Sequence, residues 1–408
     1  MSAPIRFALS FAATLAAASA VPSAADIPFT KITIDAASPP DPWMKTAGDF
    51  TGDGFADVVV CGSKGPLILY AYPDWKKTQL ASSASSESGS AAADIDGDGD
   101  LDLVIGTDWY VNPGPGKTAA GPWESHSLGL GGTHDVAVAD LDLDGKIDVI
   151  MRGESTHDVI LFKQVSPTAW TKKTLPAPVG YNGLALADLD KDGDPDIIIP
   201  GAWLENPRGD FAAAEWPLHP FASWDQFGAI QTGDFNADGF PDIVMSYSES
   251  AGRVSWFQGS ANPKAADWKE HPIDAGPVTN AHALEVADID RDGDADVITS
   301  EYEGAGRLLI YANSGKGADW GRQVVGTSKL HNIRVADFGK DGDLDILGAY
   351  AWGVNPVELW RNDLPGAAIR PFFRPSRAIA GGVRWQMQGR ELAVRVPAAL
   401  FIVRREMR

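Results

Sequence analysis

A nine-residue acidic pattern recurs seven times along this chain, and any fold the sequence adopts has to place seven copies of it equivalently. The clearest copy runs Asp94-Ile95-Asp96-Gly97-Asp98-Gly99-Asp100-Leu101-Asp102, and the others begin at Asp49, Asp140, Asp188, Asp234, Asp288 and Asp337. Successive starts lie 45, 46, 48, 46, 54 and 49 residues apart. A near-constant period of this length marks a repeat architecture, in which each unit buries its apolar faces against its neighbours.

The chemistry of the pattern is that of a cation loop. Positions 1, 3, 5 and 9 carry hard oxygen donors of the kind calcium prefers. They are Asp49, Asp53 and Asp57 in the first copy, and Asp94, Asp96, Asp98 and Asp102 in the second. The third has Asp140, Asp142, Asp144 and Asp148, and the fourth Asp188, Asp190, Asp192 and Asp196. The fifth has Asp234, Asn236, Asp238 and Asp242, the sixth Asp288, Asp290, Asp292 and Asp296, and the seventh Asp337, Asp341 and Asp345. Like charges packed this closely call for a neutralising cation. Position 6 is always glycine, which allows the positive-φ turn that wraps a loop around an ion. Up to seven calcium ions are therefore expected. The first and seventh sites are expected to be weaker, because Thr51 and Gly339 stand at position 3. The loop is not an EF-hand, since no glutamate occupies position 12. Its flanks are short and β-prone, as in Asp196-Ile197-Ile198-Ile199, so each loop joins two strands.

Four short strands per repeat match the blade of a β-propeller. The reading is an all-β, seven-bladed β-propeller with a calcium loop in each blade. The outer strand of a blade has its own signature, as in Trp75-Lys76-Lys77-Thr78 and Trp170-Thr171-Lys172-Lys173, and no such strand follows Trp360. A matching segment, Phe29-Thr30-Lys31-Ile32-Thr33-Ile34, stands near the N-terminus instead. The ring is therefore expected to be closed by this N-terminal strand, which completes the last blade.

With Phe227-Gly228 ahead of one loop and Ile346-Leu347-Gly348-Ala349 after another, residues 26–363 resemble the FG-GAP/VCBS repeat family. That family includes the integrin α-chain propeller, a fungal lectin, and propeller domains of polysaccharide lyases and of a sugar dehydratase. The resemblance implies fold and calcium. It leaves adhesion, glycan binding and lyase or dehydratase chemistry all open, because one fold hosts many functions.

The net charge of -21 is explained by the loops, since seven divalent ions would cancel 14 charges and leave about -7. It speaks against nucleic acid as a partner, which requires a basic face. Residues 1–25 read as a secretory signal peptide, with Arg6 followed by an apolar run from Phe7 to Val21 and Ser23-Ala24-Ala25 before the cut. No segment is long enough for a transmembrane span. The single cysteine, Cys61, precludes an internal disulfide. A secreted or cell-surface monomer is expected. Residues 364–408 form a basic tail with nine arginines and two glutamates. Within it, Gly389–Pro397 and Leu400–Arg404 read as a hairpin, a possible sorting segment.

Register identifies a candidate ligand site. His134, His282 and His331 each stand six residues before the first loop aspartate, with Trp43, Ser88, Asn182 and Gly228 at the equivalent places. Equivalent positions around a ring converge on the mouth of its channel. The loop after each second strand should open on the same face, opposite the calcium loops. It supplies Trp109, Trp203, Glu249, Glu301, Tyr302, Tyr350 and Trp352, and Arg334 and Glu285 sit one step deeper. Aromatics beside carboxylates and imidazoles suit sugar rings. An extracellular glycan is the preferred partner and a protein ligand the alternative. If the site is catalytic, His134, His282, His331 and Arg334 are the candidates for base and charge stabiliser. Three imidazoles also suit a transition metal. His126, His219 and His271 lie on outer strands and read as packing residues.

Overall fold

The computed structural model describes residues 26–63, 65–84, 89–129, 133–153, 157–178, 182–224, 226–365, 383–387 and 390–394. The signal-peptide reading of residues 1–25, Ser88 and most of the basic tail lie outside the described residues.

The second strand of every repeat is apolar at both parities, as in Asp57-Val58-Val59-Val60-Cys61. A strand of this kind needs cover on both faces. The fold supplies it by sandwiching each sheet between two others. Among the described residues of the ring there are seven four-stranded antiparallel sheets, six of them made of consecutive strands. Blade 6 is typical, with Ala281–Ala287, Asp296–Glu301, Arg307–Asn313 and Trp320–Thr327 from the axis outward. First strands of neighbouring blades pack around the axis, and that of blade 7 reaches that of blade 1.

The core is correspondingly divided into seven interblade clusters. Val59 and Cys61 face Leu103 and Ile105 of blade 2, whereas Val58 and Val60 face Leu347 and Phe338 of blade 7. Ile197 and Ile199 pack on blade 3, and Ile198 packs on Ile243 and Met245 of blade 5. Alternate side chains of one strand thus tie a blade to both neighbours.

The seventh sheet is assembled from the two ends of the propeller. Phe29–Asp35 pairs antiparallel with Val357–Asn362, with Phe29 opposite Asn362 and Ile32 opposite Leu359. Asp35 then accepts a hydrogen bond from Tyr70 Oη of blade 1 at 2.7 Å. Ile27 is buried against blade 6, and its N–H donates to Gln323 Oε1 at 2.9 Å.

In the basic tail, Arg390–Val394 is a strand as the sequence suggests. Its partner is Val383–Met387 rather than the segment after Pro397, so the hairpin turns one strand earlier than expected. No helix of the described residues is long and apolar enough to cross a membrane.

Candidate functional site

The acidic loops form one face of the ring. Glycine at position 6 has positive φ in all seven, from 87° at Gly239 and Gly342 to 108° at Gly193. Position 4 is left-handed as well, although only Gly52 and Gly97 are glycines there. Leu143, Lys191, Ala237, Arg291 and Lys340 adopt φ between 54° and 64°. Non-glycine residues accept this conformation at a cost and keep it only where the surroundings impose it.

Position 9 has a second job that its type alone does not reveal. One oxygen of Asp196 accepts the N–H of Leu189 at 2.9 Å, and the other accepts that of Asn206 at 2.9 Å. Asp57, Asp102, Asp148, Asp242, Asp296 and Asp345 repeat the arrangement. This aspartate therefore staples the loop to the third strand of its own blade. Replacing Asp196 by Ala leaves two buried N–H groups without acceptors. A loss of about 2–5 kcal/mol in denaturant unfolding is expected, against less than about 1 kcal/mol for an exposed aspartate such as Asp74.

A further clip joins neighbouring loops. Asn112, Asn206, Asn313 and Asn362 each donate a side-chain amide to the position-2 carbonyl of the preceding blade, at 2.9, 2.8, 2.8 and 3.0 Å. Gln164 does the same at 2.6 Å. Tyr72 and Gly259 hold the equivalent place in blades 1 and 5 and make no such bond.

Carboxylates at positions 1, 3 and 9 converge closely enough to hold a cation in blades 2, 3, 4 and 6. The other three loops have Thr51, Asn236 and Gly339 at position 3, so the acidic triad is incomplete there. A hard divalent cation fits the complete loops on two grounds. Buried oxygens Asp142 Oδ1 and Asp288 Oδ1 have no hydrogen-bond donor. Burial, reinforced by the neighbouring aspartates, also pushes the position-9 carboxyls up to about 7 at Asp102 and Asp148 and to about 8 at Asp196 and Asp296. Basic side chains already touch two of these loops. Lys163 pairs with Asp142 in blade 3, and Lys264 reaches Asp190 of blade 4 at 2.9 Å.

The opposite face carries the histidine circle. His282 stacks on His331 with ring centres 4.0 Å apart, and His134 lies 5.3 Å from His282. Tyr302 packs on His331 at 5.1 Å, Trp352 on Tyr302 at 5.1 Å, and Tyr350 on Trp352 at 5.5 Å. Six of the expected residues thus form one continuous row. Glu249 sits beside it, 3.3 Å from His282 Nε2 and hydrogen-bonded to the Tyr302 hydroxyl. Asn280 Nδ2 donates to the same hydroxyl at 3.0 Å. Burial, with the charge of His134 adding to it, drives His282 down to about 3. Burial and the charges of His282 and Lys45 hold His331 well below the usual imidazole range. Both rings are therefore neutral at physiological pH. His282 and His331 lie nearly parallel, with 26° between their planes, so their in-plane lone pairs do not converge on one point.

Deeper on the axis, a cavity of roughly 80 Å³ is lined by His134, Asp135, Asn182, Gln231, Asn332 and Arg334, among others. Arg334 Nη1 donates to Glu285 at 3.2 Å, to Asn332 Oδ1 at 2.7 Å and to the Ile333 carbonyl at 2.8 Å. Asn182 is 3% exposed and its Oδ1 has no partner.

Three expected residues are elsewhere. Trp109 and Trp203 are fully buried third-strand residues, stacked on their cross-strand partners His126 and His219 at 4.9 and 4.5 Å. The connections before them are two-residue turns, Gly106-Thr107 and Pro200-Gly201, and leave no loop to present them. Glu301 is also fully buried. It braces its own hairpin, accepting from Arg307 Nε at 2.6 Å and from the Thr279 N–H at 2.9 Å. Although burial opposes it, the Arg307 contact holds the Glu301 carboxyl below its usual range. Glu249 lies on the loop after the second strand of blade 5, where the sequence places it, whereas Asn280 was not singled out because it stands on the connection between blades 5 and 6.

The FG-GAP-like repeat profile matches residues 49–105, 140–199, 234–299 and 292–348. No curated protein matches the chain. Among solved structures, BBS1N in complex with ARL6DN is 12% identical, aligning over 84% of this chain and 98% of that one with a TM-score of 0.51. Virginiamycin B lyase from Staphylococcus aureus is 11% identical over 82% of this chain and 99% of that one, also with a TM-score of 0.51. At such identities the likeness is one of fold.

Proposed function

The chain belongs to the FG-GAP-like repeat family, and from that premise we propose that it is a secreted, calcium-loaded propeller that binds an extracellular glycan at the channel mouth opposite its acidic loops. The observation that carries this reading is Trp352. It is 41% exposed, on a face where most large apolar side chains are buried, and it is held by Tyr302, His331 and Tyr350. An aromatic plane fixed at the surface with hydroxyl, amide and carboxylate groups around it suits the C–H face and hydroxyls of a sugar. Calcium in the opposite loops would stiffen the scaffold without touching the ligand.

A second reading is favoured by one contact set. Tyr302, Glu249 and the neutral His282 form a hydrogen-bonded group beside the same aromatic plane. A lyase or dehydratase would use such a group to take a proton from a sugar carbon, with Arg334 stabilising the charge that develops.

The test is a screen of neutral and acidic polysaccharides, followed by calorimetry and by absorbance of newly formed unsaturated products. Trp352→Ala is expected to weaken binding by about 1–2 kcal/mol with the melting temperature nearly unchanged. Product that depends on His282 selects the enzyme, and binding without product selects the recognition module. Full affinity in Trp352→Ala, His282→Ala and His331→Ala together would place the ligand elsewhere.

A further inference from the structure

The axial cavity and the aromatic row differ in size and in charge, and their junction narrows the class of glycan. This inference rests on the glycan reading above. A cavity of roughly 80 Å³ is about half of one that takes a single benzene. It admits a substituent of a sugar and not the ring. The ring has to stay outside, on the row that ends in Tyr302 and Trp352.

The polar groups at the cavity then identify the substituent. Among the described residues Arg334 donates through Nη1, which leaves the other edge of the guanidinium for a ligand. Near it lies Lys45, which is fully buried and whose Nζ, among the described residues, reaches the backbone carbonyls of Pro42 and Trp43, at 2.6 and 3.2 Å. A lysine this deep is normally paired with a carboxylate. The two carboxylates nearby are already engaged, Glu285 with Arg334 and Asp135 with His134 and the Gly183 N–H. The free edge of Arg334 is thus the positive charge offered to the small space that it lines. The orphan Asn182 Oδ1 supplies an acceptor for a neighbouring hydroxyl.

We propose that the ligand is an acidic glycan, whose uronic carboxylate enters the axial cavity onto Arg334 while its sugar rings lie along Tyr302, Trp352 and Tyr350. A planar carboxylate matches the guanidinium edge. The row continues outward to a cleft between blades 6 and 7, lined by Thr327, Lys329, Tyr350 and Asn355, which gives room for a chain of several units.

The experiment compares matched probes on the calcium-loaded protein: oligosaccharides of polygalacturonate, alginate and glucuronan, each beside its carboxyl-reduced form. At least one acid form should bind about tenfold or more tightly than its reduced twin. The preference should shrink as salt rises. Arg334→Gln should erase it, bringing the affinity of the acid form down to about that of its reduced twin. Should that variant melt early, Asn182→Ala serves instead, and weaker binding of the acid form at unchanged melting temperature supports the cavity as the subsite. Equal affinity for acid and reduced forms overturns the carboxylate and leaves the glycan reading standing. Binding of sulfated glycans through Arg334, with uronates inert, also overturns it. If no glycan of either kind binds, the functional reading itself fails and this inference goes with it.

Discussion

Excess chelator is expected to lower the melting temperature of the purified protein by more than about 10 °C. A ligand that binds only the folded state contributes about 2.7 kcal/mol per site when it is present at a hundred times its dissociation constant. Four loops bring a full acidic triad together, so their joint loss is large on the scale of total stability. The pH dependence gives a separate check. In metal-free protein the position-9 carboxyls have folded-state values raised to about 7 at Asp102 and about 8 at Asp196 and Asp296, above the 3.8 of an ordinary aspartate. Between those limits the folded state holds more protons than the unfolded one. Their contribution is therefore fully present below about pH 4 and is lost as pH rises through about 8. Chelated protein should melt progressively lower across that window, and excess calcium should flatten or reverse the trend. A melting curve indifferent to chelator at pH 7.5 would remove the cation from the account of these loops.

Deletion of Phe29–Asp35 is expected to open the ring. The segment contributes buried Ile34 and half-buried Ile32 and covers Leu359 and Trp360. Losing those two isoleucines alone costs about 3–5 kcal/mol. It also leaves Val357–Asn362 as an unpaired edge strand, which invites association. Size-exclusion chromatography should show aggregate, and the soluble fraction should unfold at clearly lower denaturant. A truncated protein as stable as its parent would mean that the seventh blade holds with three strands.

Legibility in the sequence followed locality. Asp94-Ile95-Asp96-Gly97-Asp98-Gly99 announces its turn because the glycine at position 6 and the carboxylates act within one loop. The αL residue at position 4 was invisible, since Leu143, Lys191 and Arg291 are imposed on that conformation by the loop around them. His134, His282 and His331 were found through register, because a closed ring brings equal positions together. Trp109 and Trp203 misled for a related reason. Their distance from the loop aspartates resembles that of real loop residues, yet a two-residue turn in place of a loop returns them to a buried strand. The interblade amides of Asn112, Asn206, Asn313 and Asn362 escaped notice because connections of varying length shift their spacing from the repeat.

The sequence by itself determined the number of blades, the place of each acidic loop and the origin of the strand that completes the seventh sheet. Each of these is written in the period of the pattern and in apolar runs such as Val58-Val59-Val60, whose two faces require two neighbours. Only the tertiary structure decided which side chains share the channel mouth. That choice depends on whether a connection is two residues long, as at Gly106-Thr107, or runs from Tyr350 to Pro356 and carries Trp352 to the surface. It also depends on burial, which keeps His282 and His331 neutral and sets the Lys45 amine against the backbone carbonyls of Pro42 and Trp43. Burial arises from the packing of seven blades around one axis, and no single repeat contains it.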